Sequence, residues 1–228
     1  MALNPQENLT MWTPAAVVFD SDGLLVDTEP CWTVAETELF ARRGLGFGRE
    51  QKALVIGKSL PAAAELLTEV FGEPGGADAI ARELLLLVEE VIGRSATAMD
   101  GAAELVATVA KSVPVAVASN SPRGLLDAAL GRAGLADAIP VSVAADEVSA
   151  AKPAPDVYLA ACAMLGQPAD QCLAFEDSMT GLRSAQAAGL RTVGVPTLDR
   201  DDFPADLVVP SLRDERLLAW ISNWRPCT

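Results

Sequence analysis

From Val113 to Pro210 the sequence repeats one pattern: a short apolar run, a polar or glycine-bearing break, then a stretch with helical spacing. The runs are "VPVAVAS", "IPVSVAA", "QCLAFED", "LRTVGV" and "DLVVP"; "PRGLLDAALGRAG", "PDVYLAACAMLG" and "SMTGLRSAQAAG" fall between them. Apolar runs joined through helices are the mark of a parallel sheet covered by helices on both faces. One further run of this kind, "AAVVFD" at 15–20, stands far upstream. Between it and the rest, residues 30–95 switch to helical spacing in "CWTVAETELFARRG", "LPAAAELLTEVFG" and "ADAIARELLLLVEEVIG". The prediction is an α/β core built from residues 13–29 and 96–228, with an all-helical cap inserted over 30–95. Residues 1–12 are polar and proline-bearing and read as a loose tail, and Met11 is an alternative start to Met1. A chain of 228 residues, half of them hydrophobic, suits a core domain with a smaller insertion.

Composition then removes whole classes of chemistry. Against 31 acidic residues stand 17 basic ones, so neither a sequence-independent grip on nucleic acid nor an anionic membrane partner is expected. The expected partner is a small molecule. There is no histidine, which excludes Ser-His-Asp and Cys-His triads, histidine metal sites and imidazole acid/base catalysis. Cys31, Cys162, Cys172 and Cys227 form no CxxC pair and read as reduced. The start "MALNPQENLT" lacks the build of a secretory leader, and "LLLLV" at 84–88 is too short to span a bilayer. A cytoplasmic protein is expected.

Ligands of open α/β sheets bind outside the carboxyl ends of the strands, and four of these ends carry reactive residues. The first strand runs into Asp20 and Asp22, two apart and followed by Gly23, which allows a sharp turn. Two such carboxylates can divide labour, one attacking or binding metal and the other handling a proton. A polar turn accounts for a lone DxDG equally well. "VPVAVAS" ends at Ser119 and Asn120, with Ser121 as the expected N-cap and Pro122 at the first helical position. A helix start there suits a phosphate, although an ordinary capped helix explains the residues too. Lys152 precedes Pro153 in a stiff loop; it is either a solvated lysine or one held at a carboxylate cluster to neutralise developing charge. "QCLAFED" ends in Glu176 and Asp177, with Ser178 capping the next helix. Those carboxylates stabilise a helix start or, with Asp20, make an oxygen-rich site suited to Mg²⁺.

In order, "DSDG", "SNS", "KP" and "EDS" resemble the four signature motifs of the haloacid dehalogenase superfamily over residues 14–210. The opening and the inserted helical block are similar to the β-phosphoglucomutase-like, sugar-phosphate phosphatase branch. The resemblance implies a Rossmann-like parallel sheet with the first strand near its middle. It implies Asp20 as the nucleophile forming an aspartyl phosphate, and Asp22 as the acid and then base, its backbone carbonyl helping to hold Mg²⁺. Ser119 and the Asn120 amide would hold phosphoryl oxygens, Lys152 would pair with Asp20 and the phosphate, and Asp177 with Glu176 would complete the Mg²⁺ site. Attack by a carboxylate on a phosphate dianion in so acidic a chain meets repulsion that a metal ion and a fixed cation offset at close range.

Two departures qualify this. Ser21 stands where many relatives have a bulky apolar residue, and "DTEPCWTVAE" lacks the cap histidine of the mutases. Water is therefore the expected acceptor, and the expected enzyme is a phosphomonoester hydrolase of a small phosphorylated metabolite such as a sugar phosphate. A phosphomutase is the enzymatic alternative, and a receiver-like phospho-signalling module or a non-catalytic binding protein the alternative of another class. In the cap, Glu29, Trp32 and Lys58 are candidate substrate contacts, although Trp32 suits cap core and Lys58 a solvated loop equally. "GLGFG" at 44–48 reads as a turn, and Asp146 and Glu147 as a solvated turn. The identity of the leaving group is open, and so is the oligomeric state, although small capped phosphatases of this kind are often monomers.

Overall fold

The structure is a computed structural model that describes residues 12–56, 58–196 and 202–224. The tail up to Met11 and Cys227 lie outside these residues. The chain forms two compact units, one from its start to Asp27 and from Thr97 onward, the other spanning Thr28–Ala96.

The first unit holds a six-stranded parallel sheet. Its strands are β1 (Ala16–Phe19), β4 (Val115–Ala118), β5 (Val141–Val143), β6 (Cys172–Glu176), β7 (Arg191–Gly194) and β8 (Leu207–Val208), in the order β5-β4-β1-β6-β7-β8. β1 is flanked on both sides: Val17 pairs with Val115 on β4 and with Leu173 on β6. All four β1 residues are 0% exposed. Successive strand residues point to opposite faces, so burial of every one means that both faces are covered. The small side chains Ala16, Ala116, Ala118 and Ala174 share a core cluster with Val157, Tyr158 and Ala161 of helix α7 (Asp156–Met164). Phe19 and Phe175, register partners on β1 and β6, have ring centroids 5.1 Å apart.

Helices α5 (Ala102–Val109), α6 (Arg123–Arg132), α8 (Met179–Ala187) and α9 (Glu215–Ser222) also belong to this unit. A small antiparallel pair, β2 (Val26–Asp27) with β3 (Thr97–Ala98), joins the chain just before and just after the helical segment. Trp12, assigned to the loose tail from sequence, is instead anchored. Arg191 lies over its ring at 4.3 Å, and its carbonyl accepts the Trp220 indole N–H at 3.0 Å.

Among its described residues the second unit has four helices: α1 (Glu29–Ala41), α2 (Arg49–Val55), α3 (Leu60–Phe71) and α4 (Ala77–Ser95). The three longer ones match the periodic segments. α4 packs on α1 and α3 through Ile80, Leu84, Val88 and Ile92, with Leu39 and Leu67 also buried. Phe40 meets Phe47 and Phe71 edge-on at 5.0 and 4.8 Å. The unforeseen α2 starts directly after "GLGFG", where the Gln51 side chain accepts the Gly48 N–H at 3.0 Å. Among the described residues, no helix is long and apolar enough to cross a membrane.

Candidate active site

Beyond β1 the chain keeps one more ladder bond, Asp20 N–H to Phe175 O at 3.0 Å, and then turns. The N–H groups of Leu25 and Val26 both return to Ser21 O at 2.9 Å. Gly23 carries this turn at φ +83°, and a Cβ there would lie 2.5 Å from Asp177 Oδ2. Only glycine meets both demands, so the turn brings the first and fourth strand ends together.

Asp20 Oδ1 accepts the Lys152 ammonium at 2.5 Å, and Glu176 Oε1 accepts the same ammonium at 2.7 Å. Tyr158 donates its hydroxyl to Glu176 Oε1 at 2.5 Å. All four side chains are buried. Burial opposes the charge on Lys152, but the carboxylates of Asp20 and Glu176 outweigh it and hold the ammonium protonated beyond the ordinary lysine range. Burial raises the Asp20 carboxyl well above the usual carboxylate range; Glu176 repels in the same direction, Lys152 opposes, and Asp177 and Asp22 add to the rise. The Tyr158 phenol is pushed up by burial and then by Glu176 and Asp20, so it remains a donor.

The second strand end serves Asp22. Its Oδ2 accepts the Ser119 hydroxyl at 3.1 Å and the Ser121 hydroxyl at 2.9 Å. Asp20 and Asp22, two apart in the motif, thus take separate partners. Ser121 is not the N-cap expected from sequence: α6 begins at Arg123 with Pro122 as the cap residue, in extended backbone. The reason is competition, since the Asp22 carboxylate takes the hydroxyl that would otherwise turn back to the helix. Asn120 follows Ser119 at the same strand end. Its side chain is paired with the Lys152 backbone, accepting Lys152 N–H at 2.8 Å and donating to Lys152 O at 3.2 Å.

At the end of β6, Ser178 caps α8 as foreseen, accepting Gly181 N–H at 3.1 Å, and its hydroxyl lies 3.2 Å from Glu176 Oε2. Gly181 lies so close to the Glu176 carboxylate that a Cβ would overlap it. Asp20, Glu176 and Asp177 each offer an oxygen, and these oxygens lie within 4.8 Å of one another. Hard oxygen donors, several carboxylates and a single ammonium form a site short of positive charge, which suits a divalent cation of the Mg²⁺ or Ca²⁺ type. The Asp22 side chain stands outside this set.

Glu29, Trp32 and Lys58 all belong to the helical unit. Glu29 Oε1 is paired with Lys52 Nζ at 2.8 Å, and Lys52 also holds the buried Glu36 at 2.8 Å. Trp32 is partly buried on α1, and Lys58 is exposed, its N–H closing the turn to Val55 O at 3.1 Å. Two residues of the core constellation escaped the sequence reading. Tyr158 sits at core spacing in its helix, so nothing local marks its hydroxyl. Ser121 carried a signal, the third position of "SNS", but helix-start chemistry accounted for it.

Residues 14–189 match the family model described as haloacid dehalogenase-like hydrolase. Protein CbbY of Rhodobacter capsulatus is 36% identical over 86% of this chain and 93% of its own length. The fructose-1-phosphate phosphatase YqaB of Escherichia coli is 30% identical over 81% of this chain and 97% of its own. Among solved structures, CbbY of Rhodobacter sphaeroides in complex with phosphate superposes with a TM-score of 0.76 at 26% identity, covering 92% of this chain and 99% of that one.

Proposed function

The chain belongs to the haloacid dehalogenase-like hydrolase family, and from that premise we propose that it is a Mg²⁺-dependent phosphatase of a small sugar phosphate. The observation that carries this reading is the buried Asp20 carboxylate, paired with Lys152 and grouped with Glu176 and Asp177, while Asp22 is held apart on two hydroxyls.

Asp20 attacks phosphorus, forming an O–P bond as the bond to the leaving oxygen breaks. The leaving oxygen keeps the electron pair and takes a proton from Asp22. Asp22, now a carboxylate, accepts a proton from the water that attacks the aspartyl phosphate, and release of inorganic phosphate restores Asp20. Lys152 stays charged throughout and offsets charge on Asp20 and the phosphoryl oxygens, with Ser119 Oγ and the Asn120 N–H as donors to those oxygens. Asp20, Asp177, Glu176 and the Asp22 carbonyl would hold Mg²⁺, which when bound would supply charge neutralisation and orientation. Glu29, Trp32 and Lys58 are assigned to recognition of the leaving group. The absence of histidine from the chain favours water over a sugar hydroxyl as acceptor.

Phosphate release from hexose, pentose, triose and nucleoside monophosphates, with and without Mg²⁺, tests this reading. Turnover of a sugar phosphate that requires both Mg²⁺ and Asp20 is expected; an Asp20→Asn enzyme that retained it would overturn the mechanism. The same reading carries a cytoplasmic monomer, which gel filtration and cell fractionation test.

A further inference from the structure

We propose that Ser121 is the positioning residue of the acid/base Asp22, and that it performs this task alone once a phosphoryl group has claimed Ser119. The inference rests on the proposed role of Asp22 as proton donor to the leaving oxygen.

Asp22 Oδ2 accepts two hydroxyls, from Ser121 at 2.9 Å and from Ser119 at 3.1 Å. A serine hydroxyl has one proton to give. When Ser119 donates to a phosphoryl oxygen it cannot also donate to Asp22, so substrate binding removes one of the two anchors. Ser121 is built to remain. Its N–H donates to Ser119 Oγ at 2.9 Å, its carbonyl accepts Ala145 N–H at 3.1 Å, and Pro122 follows with φ at −60°. With both backbone groups engaged and a proline next in the chain, the side chain projects from a stiff segment. Its hydroxyl is free of the helix start, because Pro122 occupies the N-cap.

The anchored oxygen of Asp22 is Oδ2, which leaves Oδ1 to carry the proton. As the bond from phosphorus to the leaving oxygen breaks, that oxygen keeps the electron pair and receives the Oδ1 proton. Misplacing the acid matters most when the leaving oxygen is strongly basic and least when it is a stable anion. A residue that only shapes the loop, or only touches substrate, lowers all leaving groups alike.

The experiment measures kcat/KM for aryl phosphates of similar shape and graded phenol acidity, from 4-nitrophenyl to 4-methylphenyl phosphate, in the full-length Mg²⁺-supplied enzyme. For Ser121→Ala, the ratio of wild-type to variant kcat/KM is expected to rise about tenfold across the series, a part of the roughly 10²–10⁴-fold that general acid–base catalysis contributes. Ser121→Thr, which keeps the hydroxyl, should restore the wild-type slope. Ser119→Ala should depress the whole series by a common factor, and Asp22→Asn should steepen it most. A uniform loss in Ser121→Ala beside a steepened Asp22→Asn overturns the inference and leaves the proposed function standing. A wild-type slope in Asp22→Asn, or a wild-type enzyme with no turnover, overturns the proposed chemistry and the inference with it.

Discussion

Glu176 Oε1 accepts the Lys152 ammonium at 2.7 Å while Glu176 itself is 0% exposed. Removing one partner of a buried, hydrogen-bonded pair leaves the other charge without compensation, at a cost of about 3–5 kcal/mol. Lys152→Met strands both Asp20 and Glu176. Urea denaturation should show a loss of that order, and phosphate release should fall to background. Added Mg²⁺ should recover part of the stability, because a dication replaces the missing positive charge; a variant as stable as wild type would refute the argument.

A second prediction follows from the glycine under the same carboxylate. A methyl group at Gly181 would overlap Glu176, whereas nothing lies within 4 Å of a Cβ built on Gly131 in α6. Gly181→Ala should lose about 1–3 kcal/mol by overpacking and most of the phosphatase activity. Gly131→Ala should gain up to about 1 kcal/mol from helix propensity and keep its activity. Thermal melts and turnover of the two variants side by side separate the steric effect from the general glycine effect.

Ser21 gives a prediction of the opposite sign. Its side chain is 0% exposed, and its hydroxyl has no hydrogen-bond partner among the described residues. A buried donor left unsatisfied costs about 1–3 kcal/mol, so Ser21→Ala should raise stability by roughly 1 kcal/mol without loss of phosphatase activity. A lower melting temperature would mean that the hydroxyl is satisfied in solution.

The last helix supplies the pH dependence. Asp214 caps α9, accepting the N–H groups of Arg216 at 3.0 Å and Leu217 at 3.1 Å. Burial pushes its carboxyl up, but the Leu217 N–H and the Arg216 side chain outweigh burial, and the net shift is below the ordinary aspartate range. A carboxyl more acidic folded than unfolded means that the unfolded chain binds more protons in acid. The contribution is therefore full above the unfolded aspartate pKa, near pH 4, and drains away as pH falls through the folded one. Asp214→Ala should cost about 1 kcal/mol at neutral pH, and the gap to wild type should close in acid.

Much of this architecture was legible in the sequence, and what was not has physical reasons. The strand ends stood out because Asp20, Ser119 and Glu176 close apolar runs, where a polar residue conflicts with its surroundings unless it has work to do. Lys152 became interpretable only through its order among them. The roles of Ser121 and Tyr158 were hidden, since each is set by a partner distant in sequence: Asp22 for the serine hydroxyl, Glu176 for the phenol. α2 escaped because seven residues, "REQKALV", are too few to display a helical period. β2 and β3, two residues each, owe their existence to pairing with each other rather than to any pattern of their own.

The central place of β1 has a consequence for how the chain is made. β1 leaves the ribosome before either of its neighbours, which are β4, paired at Val17 with Val115, and β6, paired at Val17 with Leu173. The whole helical unit is synthesised in the interval, and its helices rest on contacts within Thr28–Ala96 that form while β1 still waits. "AVVF" is thus an unpaired apolar strand until β4 follows at Val115–Ala118, and it keeps one open edge until β6 follows at Cys172–Glu176, the condition in which strands find wrong partners. Nascent chains arrested before β6 should hold a folded helical unit and an incomplete sheet, which makes the fourth motif the last part of the catalytic centre to be delivered and the step that closes the core.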